Sequence, residues 1–223
     1  MQQRWDDLFF LHWEYDVAAL QSRLPAGLTV DTFAGKAHLG VVGFRMNAVR
    51  PAFLPALPWL SSFNELNVRT YVRDTAGEPG VWFFSLDCDR APAVAIARAF
   101  FGLPYEHAAM SFGPGHAQSC RRRGQAETAR YAWSATSAPQ ATTPGSLEFH
   151  LAERYSFFSH QAGRLVRGQV HHAPYEMSQA ISTDWSDLPL RWDGFDVGGR
   201  APDVAHCCQG VAIEAFSLVP AHA

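Results

Sequence analysis

The sequence predicts an α+β domain built mainly of antiparallel strands, on three observations. Segments of alternating or continuous apolar residues outnumber helical ones. The helical segments are short and open on a capping residue or a proline. The strands do not alternate regularly with long helices, as a doubly wound parallel sheet would require. The length of 223 residues suits one domain spanning residues 1–223, and 48% hydrophobic residues supply one sizeable core.

Each element has a local reason. Residues 8–14 are an apolar strand. Asp16 caps a helix over 17–23, which Pro25 and Gly27 stop. Strands over 28–33 and 37–49 flank the turn Ala34-Gly35-Lys36. Strands over 63–73 and 81–89 form a hairpin across the loop 74–80. Pro92 opens a helix running to residue 101. Further strands cover 103–112, 118–123 and 128–135. Ser146 caps a helix over 147–154, and residues 161–163 turn into a strand over 165–172. A last apolar strand covers 211–219. Two loops rich in proline or in Ala, Thr and Pro, over 50–58 and 136–145, are too short to divide the chain.

Composition excludes several classes. A net charge of −3 and a single basic run, Arg121-Arg122-Arg123, do not make a nucleic-acid face. That run reads as a solvated strand edge or a cluster of ion pairs. No stretch approaches the ~20 apolar residues of a membrane helix. The apolar stretch 8–13 is too short for a signal-peptide core and is interrupted by His12. The cysteines, Cys88, Cys120, Cys207 and Cys208, show no C-x-x-C pair, which predicts reduced thiols in a cytoplasmic protein.

The richest candidate segment is 63–73. On a strand, Leu66, Val68 and Val72 face one way and Glu65, Asn67, Arg69 and Tyr71 the other. A polar strand face is ordinarily solvated. An acid and a guanidinium on either side of Asn67, beside the bulky Tyr71, favour a pocket wall equally well. The partner strand is apolar on both faces at its start, so a hairpin covered on both sides would bury Glu65 and Arg69. Buried charges must pair or bind something. The helix after Pro92 is apolar nearly all round and is expected to be buried. Its one charge, Arg98, either pairs with Asp87, Asp89 or Glu65 or grips a substrate carboxylate with a bidentate fork.

At this helix a family resemblance emerges. Val94-Ala95-Ile96-Ala97-Arg98 followed by Leu103-Pro104-Tyr105 resembles the helix and next strand of acetoacetate decarboxylase. The whole chain is similar to the uncharacterised YqjF-like bacterial family of that superfamily. The resemblance is carried by Leu11-His12-Trp13, Leu24-Pro25, the 63–72 segment, Gly80 to Leu86, Leu103-Pro104-Tyr105, Glu153-Arg154-Tyr155 and His172-x-Pro174. It implies a closed, cone-like β-barrel with a few short helices, an interior site and a homo-oligomer. In the decarboxylase a lysine just after this proline forms a Schiff base, its pKa lowered by its surroundings; the decarboxylase is a standing example of an activated lysine. Here Tyr105 and Glu106 follow Pro104, and the only lysine in the chain is Lys36. Imine chemistry is therefore expected to be absent, and no cofactor is implied.

Adjacent strand residues face opposite ways, so one of Tyr105 and Glu106 meets the pocket, and alignment favours Tyr105. Tyr105 and Glu65 become candidate catalytic groups, with Glu65 as acid or base. Asn67, Arg69, Tyr71 and Arg98 become candidate substrate-binding groups. Neither His171-His172 with Glu176 nor His206-Cys207-Cys208 has the ligand spacing of a metal site. The resulting expectation is an enzyme acting on a small anionic oxo or carboxylic acid in a barrel cavity. The alternative is a non-catalytic small-ligand-binding protein using the same cavity, and a purely structural role leaves the polar face unexplained.

Overall fold

The computed structural model describes residues 1–50 and 61–222, so the loop expected over 50–58 lies, from residue 51, outside the described residues. In chain order the elements are β1 (Gln2–Tyr15), α1 (Val17–Gln21), β2 (Leu28–Val30), β3 (Ala37–Arg50), β4 (Phe63–Asp74), β5 (Pro79–Cys88), α2 (Ala91–Phe101), β6 (Tyr105–Gly113), β7 (Ala117–Arg122), β8 (Ala129–Ala135), β9 (Gln140–Ala141), α3 (Leu147–Ala152), β10 (Ser156–Gln161), β11 (Arg164–His171), β12 (Glu176–Asp184), α4 (Leu188–Trp192), β13 (Val204–Ala215) and β14 (Val219–Pro220). The protein is mainly β with short helices. Its pairings are antiparallel except β5 with β6 and β5 with β10.

The pairing pattern closes two rings on a shared wall. β13, β1, β3, β4 and β5 are neighbours in that order. One ring is completed by β10 and β11, with β11 pairing back to β13. The other is completed by β6, β7, β8 and β12. Closure leaves the shared wall without free edges. Alternation then sorts its side chains. Phe9, Leu11, Trp13, Val41, Leu66 and Val68 fill the second ring together with Tyr131 and Trp133. Leu8, Phe10, Val42 and Phe44 face the first ring.

Bulges tune that alternation. Asp7 has φ 52°, and the β1–β3 register shifts between Asp6 and Phe9. The extra residue lets Gln3 and Trp5 before it, and Leu8 and Phe10 after it, face the same interior. Ala48, at φ 52°, does the same in β3, with Phe44 and Met46 before it and Val49 after it.

The structure corrects several sequence expectations. β10 and β12 were not expected, because Ser156–Gln161 and Glu176–Asp184 carry many polar residues and take their strand form from non-local partners. α4 was likewise unexpected, and the last strand begins at Val204. α2 is not buried. Val94 alone is fully covered, while Ile96 is 44% and Phe100 67% exposed. An all-apolar helix permits burial on every side but receives it only where protein lies against it. Its carboxyl end is pinned instead. Ser159 Oγ donates to Phe101 O at 2.7 Å, and Gly102 supplies the left-handed cap at φ 59°. Among the described residues no helix is long and apolar enough to cross a membrane.

Candidate functional site

The first ring encloses a cavity of about 480 Å³ to which all seven of its strands contribute. The lining is largely aromatic and aliphatic, with Phe10, Phe44, Phe83, Phe157 and Tyr175 among it. α2 adds Ala93, Ile96, Ala97 and Phe101; the exposure of Ile96 puts this helix at the rim.

β4 lays Glu65, Asn67 and Arg69 along this cavity by strand alternation. Glu65 is 2% exposed and Arg69 8%. Tyr105, at the start of β6, also lines the cavity and donates from its hydroxyl to Glu65 Oε2 at 2.6 Å. Asn67 Nδ2 approaches the other carboxylate oxygen at 3.5 Å, and Gln118 Nε2 donates to the Glu65 carbonyl at 3.1 Å. Burial pushes the Glu65 carboxyl up to about 7, against the opposing pull of Tyr105 and Asn67. Burial, reinforced by the Glu65 charge, pushes the Tyr105 phenol well above its ordinary value. Glu65 therefore exchanges its proton near neutrality while Tyr105 stays a phenol.

Arg69 is held differently. Its Nη2 donates to Leu151 O at 2.9 Å and to Tyr71 Oη at 3.2 Å. Leu151 lies in the last turn of α3, where backbone carbonyls lack helical partners. The guanidinium stands 5.6 Å from the Phe10 ring and 5.5 Å from the Tyr71 ring. No carboxylate among the described residues lies within ion-pair distance of it, and its buried Nε has no hydrogen-bond partner. Arg69 is thus a desolvated guanidinium beside a cavity, without an internal counter-charge to offset its burial.

The remaining candidates lie elsewhere. Tyr71 is fully buried behind the cavity, with its hydroxyl 2.6 Å from His12 Nε2 and donating to Leu151 O at 2.8 Å. It supports Arg69 rather than lining the space. Arg98 points outward. It donates to Tyr105 O and pairs with Glu106 Oε1 at 2.8 Å, its side chain half exposed. Its acid is thus Glu106, not Asp87, Asp89 or Glu65, because Glu106 follows Tyr105 onto the opposite strand face. Asp87 instead holds Arg122, the middle of the arginine run, at 2.8 Å. Burial lifts the Asp87 carboxyl to about 6 despite that ion pair. Lys36 pairs with Glu14 at 2.6 Å and is absent from the cavity lining. Among the described residues no cluster of His, Cys, Asp and Glu has metal-binding geometry, and all four cysteines are free and buried.

Sequence reasoning missed much of the wall. Arg154 lines the cavity while its charge is neutralised by Asp31 at 2.7 Å. Alternation along β1 and β3 could have found Phe10 and Phe44. Nothing local marks Tyr175, and His172, which stood out only in the family resemblance and as a residue without metal-ligand spacing, reaches the wall through the same loop.

Comparison with known proteins gives the class first. An acetoacetate decarboxylase from Legionella pneumophila superposes with a TM-score of 0.65 at 14% identity, over 100% of this chain and 88% of that one. An acetoacetate decarboxylase-like enzyme from Sphingomonas wittichii RW1 gives 0.63 at 17% identity, over 98% and 91%. The enduracididine biosynthesis enzyme MppR, complexed with the condensation product of pyruvate and imidazole 4-carboxaldehyde, gives 0.65 at 16% identity, over 98% and 88%. At such identities the likeness establishes the acetoacetate decarboxylase-like fold alone. Sequence then fixes the family. The chain belongs to DUF2071, described as an uncharacterized conserved protein, whose model matches residues 2–212. It is 37% identical over 184 residues to the uncharacterized protein YqjF of Bacillus subtilis (strain 168), covering 81% of this chain and 76% of that protein.

Proposed function

We propose that the chain is an enzyme that takes a small anionic oxo or carboxylic acid into the first-ring cavity and acts on it without an imine intermediate. Arg69 holds the anion, and Glu65 with Tyr105 moves the proton. The observation that carries this reading is a buried guanidinium with no carboxylate partner sharing one cavity with a carboxyl poised near 7. Glu65 can give or take a proton at neutral pH, and Tyr105 fixes its orientation through the 2.6 Å hydrogen bond. The apolar wall keeps water away and strengthens both interactions. MppR, whose fold is similar, is described in complex with pyruvate, which supports an oxo acid as the ligand type.

Calorimetric titration with pyruvate, acetoacetate and related acids tests binding. Arg69→Met should weaken any acid that binds by about tenfold or more, since charged hydrogen bonds contribute about 1.5–3 kcal/mol. Glu65→Gln should keep that binding and lose turnover. Equal binding by the Arg69 variant sinks the anion site. Unchanged turnover by the Glu65 variant sinks the proton-transfer role, and binding with no turnover of any acid leaves a ligand-binding protein.

A further inference from the structure

The spacing along β4 constrains what can touch both ends of this site. Glu65 and Arg69 are four residues apart on one strand, a separation of about 13 Å between their Cα atoms. Arg69 Nη2 is held by Tyr71 Oη and Leu151 O, which fixes where the guanidinium can meet a ligand. Tyr105 stands at the Glu65 end. Across a Cα separation of that size, a longer acid spans Arg69 and the Glu65–Tyr105 pair more readily than pyruvate does. Pyruvate, occupying on the order of 100 Å³ or a few water volumes, also leaves most of a cavity of about 480 Å³ to water against apolar walls.

The walls between the two ends describe the missing part of the ligand. Phe10 approaches the Arg69 guanidinium to 5.6 Å. Phe83 and Phe157, with ring centroids 6.3 Å apart, both line the space. Phe44 lines it too, stacked on Trp5 at 4.8 Å. The aromatic groups flank the polar row of β4: Phe44 pairs with Glu65 from β3 and Phe83 pairs with Arg69 from β5, with Phe10 on β1 and Phe157 on β10 beyond them. Aromatic walls of this kind favour a flat or bulky apolar body.

We infer that the cavity takes a carboxylic acid with an aromatic or similarly bulky apolar body, its carboxylate on Arg69 and its body along the aromatic wall toward Glu65 and Tyr105. This inference rests on the anion-binding reading above and adds the substrate class. The carboxylate accepts from the Arg69 guanidinium, of whose N–H groups only those on Nη2 have partners among the described residues. The apolar body displaces water from the rings, the favourable term in burying apolar surface.

Three probes separate the components: pyruvate, phenylpyruvate and methyl phenylpyruvate, each titrated calorimetrically into the intact chain. Phenylpyruvate should bind at least about tenfold more tightly than pyruvate, the gain from burying one phenyl group. The ester, which lacks the charge, should bind at least about tenfold more weakly than phenylpyruvate. Ala97→Trp, which narrows the rim from α2, should weaken phenylpyruvate about tenfold while leaving pyruvate unchanged; its circular dichroism and melting curve establish that it folds. Equal or tighter binding of pyruvate overturns this inference and leaves the anion site standing. Ester binding as tight as that of phenylpyruvate overturns the role of Arg69. Failure of every acid to bind overturns both.

Discussion

Glu65 carries the clearest single-residue consequence. Its carboxyl is raised to about 7 in the folded protein, against about 4.3 in an unfolded chain. The folded state therefore binds a proton that the unfolded state has lost between these values. This contribution is fully present below about pH 4.3 and disappears as pH rises through about 7. Glu65→Gln keeps an acceptor for Tyr105 and removes the titration. From pH 4.5 to 7.5 the stability of the variant relative to the natural protein should rise by about 3 kcal/mol, measured by urea unfolding at each pH. Taking the difference between the two proteins cancels Asp87, lifted to about 6, and the buried histidines, whose lowered values act in the opposite direction. A flat difference would show that Glu65 is not desolvated. The strand pattern that set Glu65, Asn67 and Arg69 on one face was legible in the sequence, because alternation is local. That Tyr105 donates to Glu65 was not, since the two residues are 40 positions apart.

At the scale of the element, α2 decides the rim of the cavity, and its carboxyl end is the sensitive point. Gly102 has φ 59°, and a Cβ there would lie 2.2 Å from the His160 carbonyl oxygen. Gly102→Ala should destabilise the protein by about 2 kcal/mol or more, combining left-handed strain with a clash against backbone. Gly163→Ala is the control. Its φ is 75°, but nothing lies within 4 Å of the added atom, so it should cost only about 1 kcal/mol. Equal melting temperatures for the two variants would mean that α2 is not seated on β10. The same helix shows the limit of pattern reading. Its composition suggested burial on every side, whereas only the stripe that includes Val94 meets protein. Arg98 followed the same rule, finding its acid on the outward face of β6.

For the whole molecule, two closed rings on one shared wall separate a filled core from an open cavity. The second ring is packed by Phe9, Trp13, Tyr131 and Trp133. The first keeps the space that Arg69 and Glu65 face. Lys36 lies at the surface in an ion pair and not in that space, so borohydride treatment in the presence of acetoacetate should leave no lysine adduct detectable by mass spectrometry. A stable adduct would restore imine chemistry to this chain.

What the sequence determined by itself is the strand-rich class, the pairing of strands 63–73 and 81–89 as a hairpin, and the presence of Tyr105 and Glu106, not lysine, after Pro104. Each follows from local periodicity or from residue identity, which need no partner to be read. Ring closure, the parallel pairing of β10 with β5 and the outward turn of Arg98 were decided only by tertiary structure. So was the pairing of Tyr105 with Glu65. These depend on contacts between residues distant in the chain, where burial and hydrogen-bond satisfaction select one arrangement among several that local propensity allows.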